Sequence, residues 1–175
     1  LTFHTRIFVH KDFKQILAEH QALLSRVASS YEANESVRQE LLQEIALAVW
    51  QGLERFNGDA SLKTYILKIA HNRAVTHVSK EVKNRDVSQP DDDDIVGTAG
   101  AIDEEPEYVA ARSRQVTSLL EAIRTLPVTM RQVMTLTLEG LSYQEIAEVC
   151  GLTKNHVGVL LQRAKTTLQQ RMNHE

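Results

Sequence analysis

The sequence predicts an all-α fold of two small helical domains joined by a flexible acidic linker. Three observations carry this. Apolar residues make up 42 % of the chain and lean on Leu, Ile, Val and Ala, while aromatics are only 5 %; that balance favours helices over strands. Gly and Pro occur 7 and 3 times, too rarely for the many turns of an all-β domain. An acidic, Pro- and Gly-punctuated stretch interrupts the helical periodicity near the middle. At 175 residues the chain is long enough for one large domain or two small ones.

The N-terminal unit, 1–82, reads as three or four helices. Phe13, Ile16, Leu17, His20, Leu23, Leu24 and Val27 recur at spacings of three and four. A second helix spans about Glu35 to Leu53, with Leu41, Leu42, Ile45 and Val49 as its apolar stripe. Asn57-Gly58-Asp59 is a turn signal. Ser61 is placed to cap a third helix that continues past Lys80.

The linker is assigned to 83–107. Gln89-Pro90 is followed by four aspartates, then by Gly97, Gly100 and Pro106. Like charges repel, and Pro and Gly break helices. Between Glu81 and Glu107 there are ten acidic and two basic residues, a net of −8. The whole chain carries −3, so the rest carries +5. A modest overall charge therefore hides a basic remainder.

The C-terminal unit, 108–175, begins with a helix from about Val116 to Leu126. Pro127 separates it from a second helix, Thr129–Leu138, which Gly140 ends. Ser142 and Glu145 form a capping box for a third helix that stops near Gly151. Thr153 caps the last helix, which runs to about Met172 and carries Lys154, Arg163, Lys165 and Arg171 with no acidic residue. The segment from Leu141 to Lys165 is a helix-turn-helix pattern. Ala147 is small where two helices cross, and Gly151 permits the left-handed turn. Lys154, Asn155 and His156 occupy the first turn of the second helix, where side chains reach base edges in a major groove. Ser142, Tyr143 and Gln144 open the first helix, and Arg163 and Lys165, further along the second beside Gln162, suit phosphate contact. The plainer alternative is a helical hairpin with solvated charges.

No enzymatic chemistry is visible. There is no Gly-rich phosphate loop and no nucleophile elbow. Seven histidines are present, but His71 and His77 are six residues apart, and His4, His10, His20, His156 and His174 lack Cys or carboxylate neighbours at zinc spacing. Asp91–Asp94 lacks the Gly and Glu positions of a calcium loop. No cofactor and no metal are expected. The single cysteine, Cys150, reads as a buried inert thiol in a reducing compartment. No apolar run reaches membrane-spanning length and no signal-peptide pattern occurs, so a cytoplasmic location without membrane insertion is expected.

Two halves together carry a resemblance. Glu40-Leu41-Leu42-Gln43-Glu44-Ile45 with Val49-Trp50 resembles the polymerase-binding helix of region two in bacterial RNA polymerase sigma factors. Phe56-Asn57-Gly58-Asp59-Ala60-Ser61-Leu62-Lys63-Thr64-Tyr65-Ile66, then Ile69-Ala70-His71-Asn72, resembles the promoter-melting segment of the ECF (extracytoplasmic-function) type. Leu126-Pro127, Gly140 to Ala147 and Arg163-Ala164-Lys165 resemble region four. The likeness runs over nearly all of 12–172, in the family's order.

The resemblance implies a sigma factor that binds core RNA polymerase, recognises −10 and −35 promoter elements and promotes promoter opening. It implies polymerase contacts at Glu40, Gln43, Glu44 and Trp50. On spacing alone, 40, 43, 44 and 47 share one helical face, which without the family reads as a solvated polar face. It implies −10 contacts at Asn57, Ser61, Lys63, Tyr65, Asn72, Arg73 and Lys80. There a base flipped from the opened strand is captured and its backbone held; Tyr65 is either a stacking aromatic or a core tyrosine. It implies −35 contacts at Ser142, Tyr143, Gln144, Lys154, Asn155, His156, Gln162, Arg163 and Lys165. An anti-sigma factor is implied as a further partner. The chain departs from the pattern at Tyr65-Ile66, Thr76 and Ser79. It also has Gly158-Val159-Leu160 where the family commonly has basic residues, which weakens the expected −35 contact. The competing readings are a stand-alone helix-turn-helix regulator, dimeric on a palindrome, and a sigma-like adaptor without DNA specificity.

Overall fold

The computed structural model describes residues 2–87 and 107–173. Among these residues seven helices and no strands form: α1 (Thr2–Tyr31), α2 (Glu35–Leu53), α3 (Leu62–Val87), α4 (Glu107–Arg124), α5 (Val128–Leu138), α6 (Tyr143–Cys150) and α7 (Lys154–Met172). None is long and apolar enough to cross a membrane.

Helix α2 starts where the Asn34 side chain accepts from the Val37 N–H at 3.1 Å. Its buried positions Leu41, Ile45, Val49 and Gly52 are four, four and three residues apart, the stripe of a helix with one packed face. That stripe lies in one core with Leu24, Val27 and Ala28 of α1 and Ile66, Leu67, Ala70 and Ala74 of α3. Gly52 sets the closeness of α2 and α3: a Cβ there would lie 2.5 Å from Ile69 Cδ1. The turn before α3 is fixed by Asn57, whose side-chain oxygen accepts from the Asp59 N–H at 3.2 Å. Ser61 caps α3 as expected, its Oγ accepting from the Thr64 N–H at 3.1 Å.

Helix α3 runs to Val87, so the first five residues assigned to the linker, 83–87, are helical. No Pro or Gly intervenes before Pro90, and nothing stops the helix earlier. Likewise α4 begins at Glu107, directly after Pro106 and ahead of its apolar stripe. Residues 88–106, with the aspartate run, lie outside the described residues, as do His174 and the side chains of His4 and His10.

The turn after α5 closes with two bonds. The Gly140 N–H (φ +85°) donates to Thr137 O and the Leu141 N–H to Leu136 O, which satisfies the last carbonyls of the helix. At the start of α6, Ser142 Oγ accepts from the Glu145 N–H at 3.3 Å, and the Ser142 N–H donates to Glu145 Oε2 at 2.7 Å. This is the expected capping box, and those bonds hold the Glu145 carboxyl below its usual range. Gly151 takes φ +67° between α6 and α7. Thr153 then caps α7, accepting from the His156 N–H at 3.2 Å. Val157, Leu160, Leu161, Ala164 and Leu168 form its buried stripe. Leu160 therefore belongs to the core, and Val159 is the exposed apolar residue on that stretch.

Gly158 has ordinary helical backbone, and a Cβ there would meet Tyr143 Cε2 at 3.5 Å, a normal contact. Gly158→Ala is expected to stabilise the chain by about 1 kcal/mol. Urea unfolding of the two proteins checks this.

Candidate polymerase and nucleic-acid interfaces

The outer face of α2 carries Glu40, Gln43 and Glu44, all exposed, opposite its buried stripe. Leu47 stands one turn further on the same face and is 53 % exposed. Two carboxylates, an amide and an exposed leucine thus share this face. Spacing places position 47 on this face, but Leu47 is not among the polymerase-contact candidates, which the resemblance supplies. Trp50 is half-buried in the last turn of α2.

On α3 the positions 65, 69, 72, 73, 76 and 80 recur at spacings of three and four, so one face holds Tyr65, Asn72, Arg73 and Lys80. That face and the end of α2 enclose an open cleft of about 350 Å³. Its lining brings together Tyr65, Asn72 and Arg73 and adds Gln51, Arg55 and Thr76. Arg55 supplies a second guanidinium that sequence reasoning missed, because it falls outside any motif. Tyr65 is held rather than free. Its hydroxyl donates to Gly52 O at 2.7 Å, and its ring lies 5.0 Å from that of Phe56. Asn57 and Ser61 are exposed beside this face. Lys63 points elsewhere: its Nζ donates to the backbone carbonyl of Glu139 in the α5–α6 turn.

The helix-turn-helix presents Ser142, Tyr143, Gln144, Lys154, Asn155, His156, Gln162, Arg163 and Lys165 at the surface, all exposed. Asn155, Gly158, Gln162 and Lys165 follow one another along α7 at spacings of three and four, with Lys154 at their N-terminal end. No acid opposes them on α7, so the helix offers a positive face to phosphate. Cys150 is half-buried, and burial pushes its thiol up to about 11. It stays protonated and unreactive near neutral pH.

One cluster escaped the sequence reading, which paired His77 only with His71. His77 Nε2 lies 3.0 Å from Glu32 Oε2 and 4.0 Å from Glu81 Oε1. The Glu32 carboxylate also accepts from the Asn34 N–H. Glu32 is 45 residues from His77 in the chain, so local spacing could not reveal it. The three ligand atoms lie within 4.8 Å of one another; with Glu32 already bonded twice, the group ties the end of α1 to α3.

Residues 16–84 match the family model for sigma-70 region 2, and residues 117–168 match that for sigma-70 region 4. The RNA polymerase sigma-H factor of Pseudomonas aeruginosa is 30 % identical over 75 % of this chain and 69 % of its own length. The ECF RNA polymerase sigma-E factor of Haemophilus influenzae is 24 % identical over 93 % of this chain and 88 % of its own.

The chain belongs to the ECF sigma factors.

Solved structures of the same fold include the sigma factor RpoE of Bartonella quintana in complex with the anti-sigma factor NepR (23 % identity, TM-score 0.69, 93 % of this chain and 98 % of that one). CnrH in complex with the cytosolic domain of CnrY is similar too (20 % identity, TM-score 0.65, 95 % and 90 %). In this sigma factor the region-2 match contains the α2 face and the α3 cleft, and the region-4 match contains the whole helix-turn-helix. It recognises promoters as a subunit of transcription initiation, and its family is not one of enzymes.

Proposed function

We propose that this sigma factor docks on core RNA polymerase through Glu40, Gln43 and Glu44, with Leu47 and Trp50 beside them. The opened −10 strand then lies along the α3 face, its backbone held by Arg73, Lys80 and Arg55 and its bases met by Asn57, Ser61, Tyr65 and Asn72. Helix α7 enters the major groove of the −35 element with Lys154, Asn155 and His156 leading, while Arg163 and Lys165 take phosphates and Gln162 faces the bases. Ser142, Tyr143 and Gln144 meet the backbone from α6. Residues 1–82 and 108–175 act as separate DNA-reading units, and the acidic segment 83–107 joins them.

Promoter opening follows from differential binding. A surface that holds single-stranded DNA but not the closed duplex shifts the equilibrium toward the open form by that difference in affinity. No bond is made or broken by this chain. With Gly158 offering no cation on the row from Asn155 to Lys165, −35 binding by α7 is weak, and polymerase must supply much of the promoter affinity. The site of action is the cytoplasm, where polymerase and DNA are. An anti-sigma factor, the class of partner seen with the Bartonella protein, holds the chain idle.

The observation that carries this reading is the pairing of a positive cleft on α2 and α3 with an acid-free helix-turn-helix helix in one chain. Core polymerase affinity tests its docking half. Gln43→Ala/Glu44→Ala is expected to weaken co-elution with core polymerase by at least about tenfold, the scale of losing two central interface contacts, without changing helical content. Equal retention of both proteins refutes the assignment of this face. A dimer that binds palindromic duplex without polymerase would favour a stand-alone regulator, and polymerase binding without specific initiation an adaptor.

A further inference from the structure

We propose that Glu32, His77 and Glu81 form a site for one divalent transition ion, zinc being the best match, which braces the far half of α3 against the end of α1. Two parts of the chain supply the ligands. His77 and Glu81 are four residues apart on α3, so both side chains leave one face of that helix. Glu32 is the residue that follows α1. His77 Nε2 lies 3.0 Å from Glu32 Oε2 and 4.0 Å from Glu81 Oε1, and all three atoms lie within 4.8 Å of one another. Ligand atoms each about 2.1 Å from a shared zinc are roughly 3–4 Å apart. The first two separations already fall there, and Glu81, with 40 % of its side chain exposed, is free to close the third. Among the described residues no other three such ligands converge.

The surroundings favour an ion over a plain ion pair. Glu32 Oε1 accepts from the Asn34 N–H at 2.8 Å. That bond orients the carboxylate and leaves Oε2 turned to His77, the part an outer partner plays at a metal centre. Two carboxylates here face one imidazole, which even when protonated offsets only one of them. The guanidiniums of Arg38 and Arg124 are engaged elsewhere, on the carbonyls of Ala33 and Ser29. A dication offsets both carboxylates at once. One imidazole with two carboxylates suits zinc, cobalt or nickel better than magnesium or calcium. The side chains of His77 and Glu32 are only 15 % and 12 % exposed, while the Glu81 side opens to solvent, the route by which an ion enters and water completes its shell. The consequence lies in α3. Its buried positions run from Thr64 to Ala74, and residues 75–84 are half-buried or exposed. That half, with Lys80 between the two ligands, has little core to hold it, and such segments open first. An ion shared with Glu32 ties it to α1.

The test uses the full chain and two readouts. Calorimetric titration with Zn2+ should show one saturable site per chain, with Mg2+ at least about a hundredfold weaker. Glu81→Gln and His77→Gln should each weaken Zn2+ binding by at least about tenfold, since loss of a ligand costs no less than loss of its outer partner. Glu81→Gln changes an accessible side chain and keeps the native circular dichroism, so it carries the test even if His77→Gln does not fold. Hydrogen exchange locates the ion: Zn2+ should slow the amides of residues 75–84 in the native chain and leave them unchanged in Glu81→Gln. No saturable Zn2+ site below about 1 mM, a weak affinity on any scale, overturns the proposal. Equal binding by native and both variants also overturns it, by placing the ion elsewhere on the chain. Binding that leaves the exchange of 75–84 unchanged refutes the brace.

Discussion

Between pH 7 and pH 5 this sigma factor is expected to lose about 2 kcal/mol of folding stability to a single side chain, His71. The residue is 0 % exposed. Its Nδ1 lies 2.8 Å from the Tyr31 hydroxyl, and its Nε2 has no hydrogen-bond partner. Burial holds the Tyr31 hydroxyl well above its usual range, so the phenol keeps its proton, and the neutral imidazole shares one hydrogen bond with it at Nδ1. A second ring proton would place a charge in the core, and burial lowers His71 from 6.5 to about 3. The unfolded chain binds that proton at the ordinary value and the folded chain does not. The contribution is complete above pH 6.5 and is lost as pH falls from there through 3, by about 5 kcal/mol in all. Urea unfolding at several pH values tests it against the double variant Tyr31→Phe/His71→Leu, which removes the titrating ring without orphaning the phenol. The native protein should show the steeper slope between pH 7 and 5. Parallel slopes would mean that His71 reaches solvent in the native state.

Arg131→Ala is expected to cost about 3 kcal/mol, from two carbonyls left without a donor and the loss of a cation–ring contact. Arg131 is 8 % exposed in α5. Its Nη2 donates to the carbonyls of Arg124 and Leu126, where α4 ends. Its guanidinium lies over Tyr31. The same side chain thus closes one helix end and joins the two units, and burial lowers its pKa. Arg131→Lys should recover less than half of the loss, since a single ammonium cannot lie flat on the ring and reach both carbonyls. The shift in urea midpoint measures both; a loss below about 1 kcal/mol for Ala would show that water replaces the guanidinium.

The elements whose causes are local were legible in the sequence. The second helix, the Ser61 cap, the Ser142–Glu145 box and the Gly140 and Gly151 turns each depend on residues within five positions, and each was placed from spacing. The contacts that govern the site depend on distant residues. Glu32 meets His77, Arg131 meets Tyr31, and Glu139 meets Arg26 across 113 positions. No periodicity records such pairs. Lys63 illustrates the consequence. Its place in the motif assigns it to the −10 strand, while the folded chain binds it to the α5–α6 turn. Arg55 was missed for the opposite reason: it looks ordinary in sequence and becomes notable only once its neighbours are known.

Run-off transcription with purified core polymerase, on a pool of promoters varied in both elements, tests the central claim most directly. With the native chain added, transcripts are expected from a defined subset of templates that share a −10 and a −35 sequence, and none from core polymerase alone. No initiation from any template, with the chain instead shifting palindromic duplex as a dimer, would contradict the account.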